Sequence, residues 1–313
     1  MRILVTGATG FIGKRLCEVL HRRGHSVVAL VRNPEKAHSA LYGRARVVGW
    51  NPRDPKGMWA EEVAQVDGIV NLAGEPVMGR WTEAHKKEIY DSRILATRAL
   101  VDAIEAAPSQ PIGRNGGRPR VLVQASATGY YGETLNETDE SSPPGKDFLA
   151  KVCVDWEKEA MRAEALGTKV IVCRLGVVLG KGGGALPQMA RPFKMFVGGP
   201  LGDGKQWVPW VALDDAIGML ELALFDVNAT GPINVVAPEP MQNGDVAKMI
   251  GKVLGRPAIF PTPAAAIRAL FGEGADVVLK GQRVVPKRAI ELEYPFLHPS
   301  IRGALKAGLG VDE

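Results

Sequence analysis

A pattern of three glycines directly after an apolar run places the strongest constraint on how this chain folds. Residues 3–5 are Ile-Leu-Val, and the pattern Gly7-x-x-Gly10-x-x-Gly13 follows at once. Residues 11–23 then carry apolar side chains at helical spacing, and a second apolar run occupies residues 27–31. This order predicts a strand, a helix and a second strand in a unit of about 30 residues, with a tight turn after the first strand.

Such a unit is typical of dinucleotide-binding proteins. The first glycine allows the turn, the second lets a pyrophosphate approach the backbone, and the third lets the helix pack closely on its strand. Unpaired N–H groups and the positive end of the helix dipole attract phosphate without a lysine. A glycine turn in a parallel sheet that binds no ligand is the alternative. The expected cofactor contacts in the turn are Gly7, Thr9, Gly10, Phe11, Ile12 and Gly13.

The residue at the end of the second strand indicates which dinucleotide binds. NAD-binding proteins carry an acidic residue there, about 20 residues past the glycines, which binds the ribose hydroxyls. This chain has Arg32 at that place, nineteen residues after Gly13. A guanidinium offers several donors to a 2′-phosphate, whereas a carboxylate would repel it. We therefore expect the cofactor NADP(H), with a solvated surface arginine as the alternative.

Composition excludes several classes of partner. The 313 residues are 46% hydrophobic, which is enough for a full core, and the net charge is +5. The basic residues are spread along the chain, so nucleic-acid binding is not indicated. Neither a membrane helix of about 20 apolar residues nor a metal-ligand spacing of histidines is present. We expect an unidentified small-molecule substrate, no nucleic-acid, membrane or metal partner, and leave a protein partner and the oligomeric state open.

The three cysteines indicate the compartment. Cys17, Cys153 and Cys173 are odd in number and scattered, so they are expected to be core residues in a reducing environment. We expect a cytoplasmic location, or an organellar stroma or matrix if a transit peptide was removed. The densest basic stretch, residues 111–120, is expected to be a loop before a strand.

Strands and helices alternate along much of the chain, which predicts an α/β fold. Further strands are expected near residues 45–50, 68–74, 121–126, 169–175 and 233–236, and helices near residues 83–107, 149–166, 214–225, 244–254 and 264–270. We predict a Rossmann-type doubly wound parallel sheet, with its ligand crevice at the carboxyl ends of the strands. The glycine-rich segment after residue 180 predicts a smaller, discontinuous C-terminal substrate lobe. The expected boundaries are 1–180 and 205–240 for the dinucleotide-binding domain, and 181–204 and 241–313 for the lobe.

Several segments resemble the extended short-chain dehydrogenases/reductases of the sugar-nucleotide epimerase type. They are the glycine motif Thr6–Gly13, the fourth-strand motif Asn71–Gly74 and the late segment Trp210–Asp215. A narrower resemblance points to an atypical epimerase-like branch with its own C-terminal domain, some of whose members are labelled cell-division inhibitors. It rests on Gly74–Pro76, Arg80-Trp81, Ser92-Arg93, Ser126–Gly132, Gly198–Gly202 and Gly281–Arg288. The resemblance implies nicotinamide dinucleotide binding and oxidoreductase or epimerase chemistry.

The resemblance also implies catalytic positions, and one of them is altered. Enzymes of this family transfer hydride with a Ser or Thr, a Tyr and a Lys four residues after the Tyr. Ser126 and Lys151 occupy the serine and lysine positions, whereas Asp147 stands at the tyrosine position. A surface ion pair at i, i+4 is the alternative for Asp147 and Lys151. Tyr131 is the third catalytic candidate, with Tyr130 and Asp147 as other proton donors, or the tyrosines as pocket walls.

Further contacts follow from the same resemblance. The implied cofactor contacts beyond the turn are Leu72, Ala73, Gly74, Arg93, Ser126, Lys151, Gly176 and Val177, and the implied substrate pocket consists of Thr128, Tyr130, Gln206, Trp207 and Trp210. Packing between lobes is the alternative for the tryptophans. Gln282, Arg283 and Arg288 either approach an anionic substrate or hold the C-terminal lobe. Ala212 stands where the family has a histidine.

Two functions of different classes follow. The first is an NADP(H)-dependent oxidoreductase or epimerase of a small molecule, which the retained Ser126 and Lys151 favour. The second is a catalytically impaired NADP(H)-binding regulatory protein linked to cell or plastid division, which the missing tyrosine favours. Fold alone does not choose between them.

Overall fold

A computed structural model describes residues 1–54, 57–107 and 119–311 of the chain. Its strands are β1 (Arg2–Thr6), β2 (Ser26–Val31), β3 (Arg46–Gly49), β4 (Gly68–Asn71), β5 (Val121–Ala127), β6 (Thr134–Thr138), β7 (Lys169–Leu175), β8 (Val177–Leu179), β9 (Trp207–Val208), β10 (Trp210–Ala212), β11 (Gly231–Val235), β12 (Met241–Gln242) and β13 (Gln282–Val284). Its α-helices are α1 (Phe11–Arg22), α2 (Pro34–Leu41), α3 (Trp59–Ala64), α4 (Glu83–Ala106), α5 (Phe148–Met161), α6 (Leu186–Lys194), α7 (Leu213–Phe225), α8 (Asn243–Leu254), α9 (Ala264–Phe271), α10 (Asp276–Leu279), α11 (Lys287–Glu291) and α12 (Ile301–Leu309).

Seven strands form one parallel sheet in the order β3-β2-β1-β4-β5-β7-β11. The strand order reverses between β1 and β4, so a crevice opens at their carboxyl ends, where doubly wound sheets bind ligands. The residues of β1, β2 and β5 are buried on both faces because helices cover both sides of the sheet. The predicted α/β fold with a doubly wound parallel sheet is confirmed.

Two hydrophobic clusters fill the space between the sheet and its helices. One joins Ile3 and Val5 to Leu16 and Leu20 of α1 and to Leu220 of α7. The other joins Leu4 and its neighbours on the opposite face to α3 and α4. All three cysteines are buried and free, as predicted, because each is a small side chain in a close-packed interior.

The C-terminal part of the chain shares a third cluster with the sheet domain. This cluster joins Leu186 and Phe193 of α6 to Val246 of α8 and Leu305 of α12, and it includes Trp210 from β10. The smaller lobe therefore packs its apolar side chains against residues assigned to the larger one. The expected domain boundaries remain a prediction.

Some elements differ from the prediction. The helix expected near residues 149–166 ends as an α-helix at Met161 and continues as a 3₁₀-helix over Arg162–Leu166. Helix α6 lies in the segment expected to be loop. Its sequence does not look helical, because its first turn begins with Leu-Pro and a second proline, Pro192, lies inside it. The loop expected at residues 111–120 lies, apart from its last two residues, outside the described part of the chain.

Two adjacent aspartates at the start of α7 hold different parts of the fold. Asp214 accepts hydrogen bonds from Arg15 of α1. Asp215 is 1% exposed and accepts from the backbone N–H groups of Leu297 and His298 at 2.7 and 2.9 Å. Asp215 thereby fixes the chain that leads into α12.

We expect Asp215→Ala to destabilise the protein by about 3 kcal/mol, because it removes two hydrogen bonds that a buried carboxylate accepts from the backbone. The matched control is Asp214→Ala, which removes a partly exposed ion pair and is expected to cost less than about 1 kcal/mol. Urea denaturation of both variants measures the two free energies of unfolding. Equal losses in the two variants would contradict the structural role of Asp215.

Candidate functional site

The glycine turn after β1 leaves no room for side chains. Gly7 has φ +63°, and a Cβ atom built on it would lie 2.7 Å from the carbonyl oxygen of Leu72. A Cβ atom on Gly13 would lie 2.2 Å from the carbonyl oxygen of Gly7. The N–H of Gly10 donates to that same oxygen at 2.9 Å. The three glycines therefore bring the turn, the first helix and the end of β4 into direct backbone contact.

The first turn of α1 is open to a negatively charged ligand. Gly10 precedes the helix, no side chain caps its N–H groups, and no acidic residue lies in its first turn. Thr9 and Gly10 are exposed, whereas Gly13 is buried against the sheet. A diphosphate fits here because the free N–H groups and the helix dipole both favour negative charge.

Phe11 connects this turn to the glycine-rich segment after residue 180. Cβ atoms built on Gly183 and Gly184 would lie 2.6 and 2.7 Å from the ring of Phe11. A Cβ on Gly180 would lie 3.1 Å from the same ring. The glycines of this segment therefore make room for an aromatic ring beside the turn.

Arg32 lies exposed just beyond β2. The next residue, Asn33, caps α2 by accepting a hydrogen bond from the backbone N–H of Lys36 at 3.1 Å. Across residues 1–54, 57–107 and 119–311, no acidic side chain pairs with Arg32. Its guanidinium is therefore exposed and without an acidic partner there, at the position where a 2′-phosphate contact is predicted.

A buried polar network sets the position of the segment after β4. The side chain of Asn71 accepts from the Thr6 hydroxyl at 2.6 Å and donates to Thr97 and Gln124, each at 2.9 Å. The Thr6 oxygen in turn accepts from the backbone N–H groups of Leu72 and Ala73. This network holds Leu72 and Ala73 beside the glycine turn, where cofactor contacts are predicted.

Ser126 is tied to a buried ion pair. Its hydroxyl donates to Oε1 of Glu157 at 2.6 Å. Arg174 donates to both carboxylate oxygens of Glu157, at 3.0 and 2.9 Å, and the two side chains are 5% and 12% exposed. Because a carboxylate can only accept, the lone pairs of the Ser126 oxygen are not used by Glu157, although Ser126 is only 2% exposed.

The two tyrosines near Ser126 face Arg174. The Arg174 guanidinium stacks 3.5 Å from the centre of the Tyr130 ring and donates to the Tyr131 hydroxyl at 2.9 Å. That hydroxyl donates to Asn234 at 2.7 Å, and burial raises the pKa of Tyr131 to about 12. Its hydrogen-bonding capacity is thus used within the protein, so this placement does not support the predicted catalytic role of Tyr131.

The segment with the altered tyrosine position begins α5. Asp147 caps the helix by accepting from the backbone N–H of Ala150 at 2.9 Å. Lys151 lies exposed one turn later, and no ion pair joins these two described residues. The surface ion pair considered for them is not formed, because the Asp147 carboxylate points to the helix end instead. Lys151 remains the predicted lysine of the site.

The turn between β7 and β8 has little spare hydrogen-bonding capacity. The N–H of Gly176 donates to Val235, and the N–H of Val177 donates to Pro209 at 2.7 Å. A Cβ atom on Gly176 would lie 2.1 Å from the carbonyl oxygen of Pro209. Contact of Gly176 and Val177 with a nicotinamide carboxamide, as predicted, must therefore use groups other than these N–H donors.

The predicted substrate-pocket residues separate into two groups. Thr128 is buried and Tyr130 half-buried in the 3₁₀ turn after Ser126, at the crevice. Trp210 is 1% exposed and donates from Nε1 to the carbonyl oxygen of Glu239, so this placement does not support a pocket role for it. The side chain of Gln206 donates to Leu201 and Val278, which ties a loop to α10.

Trp207 lies partly exposed on β9, which pairs with β12 of the C-terminal lobe. It lines a cavity of about 450 Å³ together with Glu239 and Asp245. The guanidinium of Arg283 stacks 5.1 Å from its ring. Arg288 donates to the carbonyl oxygen of Asn228. Both arginines therefore hold the lobe, which was one of the two roles considered for them.

Sequence analysis missed the pairing of Glu157 with Arg174. A signal was present: Arg174 follows the apolar run of residues 170–173 on a strand expected to be buried. Because a buried guanidinium needs a counter-charge, that strand predicts an acidic partner on a covering helix. The position of Glu157 on the helix that follows β5 made it a candidate.

Two absences concern the described residues alone. In residues 1–54, 57–107 and 119–311, no group of histidine, cysteine and acidic side chains is arranged to hold a metal ion. Over the same ranges, none of the helices has the length and apolar character needed to cross a membrane.

Comparison with known proteins adds two family matches. Residues 3–237 match the NAD dependent epimerase/dehydratase family, and residues 262–307 match a domain of unknown function called DUF1731. The second match lies within the C-terminal lobe, in agreement with the predicted branch that has its own C-terminal domain.

Relatives match along nearly the whole chain. The chloroplastic epimerase family protein SDR39U1 homologue of Arabidopsis thaliana is 42% identical over 98% of this chain and 86% of its own length. The epimerase family protein YfhF of Bacillus subtilis is 37% identical over 97% of each chain. The crystal structure of human epimerase family protein SDR39U1 with NADPH is 34% identical, covers 100% of both chains and has a TM-score of 0.84.

We expect Arg174→Met to destabilise the protein by about 3 to 5 kcal/mol, because it leaves the Glu157 carboxylate buried without its partner. Arg98→Met is the matched control, since it removes a half-exposed pair with Glu159 and should cost less than about 1 kcal/mol. Thermal and urea unfolding measure both variants. A small loss in Arg174→Met would show that water reaches Glu157.

Proposed function

We propose that this chain, which belongs to the NAD dependent epimerase/dehydratase family, is an NADP(H)-dependent oxidoreductase or epimerase of a small molecule. The observation that carries the proposal is the open glycine turn with exposed Arg32 beyond the neighbouring strand. A human relative crystallised with NADPH supports the same dinucleotide.

The residues of the crevice fit the two charged parts of NADP(H). The turn from Gly7 to Gly13 would hold the diphosphate through backbone N–H groups. Arg32 would hold the 2′-phosphate, since its guanidinium has no acidic partner in the described ranges. Leu72 and Ala73, fixed by the Thr6 hydroxyl, would line the middle of the cofactor.

The chemistry centres on the carboxyl end of β5. When bound, the oxidised nicotinamide supplies an acceptor for the hydride of a substrate carbon that bears a hydroxyl. Ser126, whose proton is held by Glu157, would accept a hydrogen bond from that hydroxyl and so orient the reacting carbon, and the hydroxyl proton would pass through Ser126 to the Glu157 carboxylate as the hydride leaves. Lys151 would bind the nicotinamide ribose from the first turn of α5.

Arg174 fixes the geometry of this arrangement. It donates one hydrogen bond to each oxygen of the Glu157 carboxylate. That carboxylate accepts the hydrogen bond of the Ser126 hydroxyl and does not donate one. The arrangement therefore favours substrates that offer a hydroxyl to Ser126, as an alcohol does.

A second function has its own supporting observation. The Tyr131 hydroxyl is enclosed by Arg174 and Asn234, and Asp147 serves as a helix cap. A site without a free proton donor would suit a regulatory protein that binds NADP(H) without turnover. With this second function we propose a role in cell or plastid division and a location in the cytoplasm or an organelle stroma.

The dinucleotide proposal predicts a preference that depends on Arg32. We expect the protein to bind NADPH more tightly than NADH, and Arg32→Ala to weaken NADPH binding by about 10- to 100-fold with little effect on NADH, because one charge-assisted contact is lost. Fluorescence titration with both nucleotides measures this. Arg302→Ala, an exposed arginine on α12, is the control. Equal affinities for the two nucleotides in the unchanged protein would overturn the preference.

The catalytic proposal predicts turnover that depends on Ser126 and Lys151. We expect reduction of NADP⁺ with at least one member of a panel of alcohols and nucleotide sugars. Ser126→Ala and Lys151→Ala should each lower kcat by about 100-fold or more, while NADPH binding by Ser126→Ala is retained. Absence of turnover across the panel favours the regulatory function, and turnover unaffected by both substitutions contradicts the assigned site.

A further inference from the structure

One arginine of the crevice has half of its guanidinium committed to the protein. Arg93 on α4 donates from Nη1 to the carbonyl oxygens of Glu75 and Ile89, at 3.0 and 2.9 Å. These two bonds use both hydrogens of Nη1. The guanidinium also stacks 5.1 Å from the centre of the Trp156 ring. These three neighbours therefore fix the orientation of the guanidinium.

Arg93 forms no direct ion pair with a carboxylate among the described residues, although the charge of Glu75 acts on it. Arg98, further along the same helix, forms an ion pair with Glu159. Burial lowers the pKa of Arg93, and the Glu75 carboxylate offsets this only in part. An anion in direct contact with the guanidinium would stabilise its positive charge further.

The other edge of the Arg93 guanidinium, formed by Nε and Nη2, faces Gly74. A Cβ atom built on Gly74 would lie 3.0 Å from Cζ, 3.2 Å from Nη2 and 3.3 Å from Nε of Arg93. Gly74 is itself exposed at the carboxyl end of β4. Any larger residue there would cover Nε and Nη2. These are two of the parallel donors with which an arginine holds a carboxylate or phosphate.

This edge lies at the same end of the sheet as Ser126. Trp156, on whose ring Arg93 stacks, precedes Glu157, the residue that accepts the Ser126 hydroxyl. The glycine turn that fits the diphosphate approaches the carbonyl oxygen of Leu72, two residues before Gly74. Arg93 therefore extends the positively charged part of the crevice toward the reacting end.

We propose that Nε and Nη2 of Arg93 bind an oxyanion, a phosphate or carboxylate group that enters the crevice past Gly74. The inference rests on the proposed function, because the group belongs either to the dinucleotide or to an acidic substrate. Sequence analysis placed Arg93 among the cofactor contacts. The structure adds the geometry of the contact and the requirement for glycine at position 74.

The test uses two variants that act on opposite sides of the contact. Arg93→Lys keeps the positive charge but removes the paired Nε and Nη2 donors. Gly74→Ala keeps these donors but covers them with a methyl group. Arg98→Lys is the matched control on the same helix. NADPH affinity is measured by fluorescence titration, and binding of inorganic phosphate and of malonate is measured by calorimetry, with and without saturating NADPH.

We expect both variants to weaken the binding of at least one probe by about tenfold or more, and the control to stay within about twofold. A loss confined to NADPH assigns the oxyanion to the cofactor. A loss of phosphate or malonate binding to the NADPH-loaded protein, with NADPH affinity retained, assigns it to the substrate.

Unchanged affinities for all three probes in both variants overturn the proposal. Should Arg93→Lys fail to fold, Gly74→Ala alone carries the test, since its added methyl group meets a side chain and not backbone. Failure of the proposed function gives a different result. The unchanged protein would then not bind NADPH, while phosphate and malonate still report on Arg93 in the free protein.

Discussion

The buried ion pair between Arg174 and Glu157 is the interaction on which the candidate site depends. A guanidinium on a central strand has to be neutralised, and the carboxylate that does so comes from the helix beside it. The same carboxylate takes the Ser126 proton, and the same guanidinium holds both tyrosines and reaches the carbonyl oxygen of Glu140. Glu140 in turn accepts from the backbone of Asn234 and Arg288. One charge pair thus connects the end of β5 to the C-terminal part of the chain.

Close backbone packing is the second constraint on the crevice. At Gly7, Gly13, Gly74 and Gly176 the space of a Cβ atom is already taken by backbone or by an arginine. Gly7, Gly13 and Gly176 bring backbone segments together, and Gly74 leaves Nε and Nη2 of Arg93 uncovered. The crevice is therefore shaped as much by missing side chains as by those present. Its positive character comes from a helix terminus and from arginines without acidic partners in the described ranges.

Much of the fold followed from sequence because its signals are local. Apolar runs bounded by glycine predicted the central strands within one to three residues, and the helix at Glu83–Ala106 was expected almost to its ends. The turn at Gly7 was predictable because backbone geometry and glycine spacing act over a few residues. Helix α6 was not, since two prolines hide its pattern. The hydrogen-bond partners of the tyrosine candidates could not be predicted for another reason. Their spacing from Ser126 is local, whereas their hydrogen-bond partners come from β7 and β11.

The sequence by itself determined the class of fold and the family and predicted a place for the dinucleotide, because these depend on short patterns of glycine, apolar residues and one arginine. Only the tertiary structure decided which polar groups face the crevice. Ser126, Glu157 and Arg174 meet across a strand and a helix, and Asp147 turns from a catalytic position into a helix cap. Arg93 lies open toward Gly74 for the same reason: whether a charged side chain is paired depends on contacts between segments that are far apart in the chain.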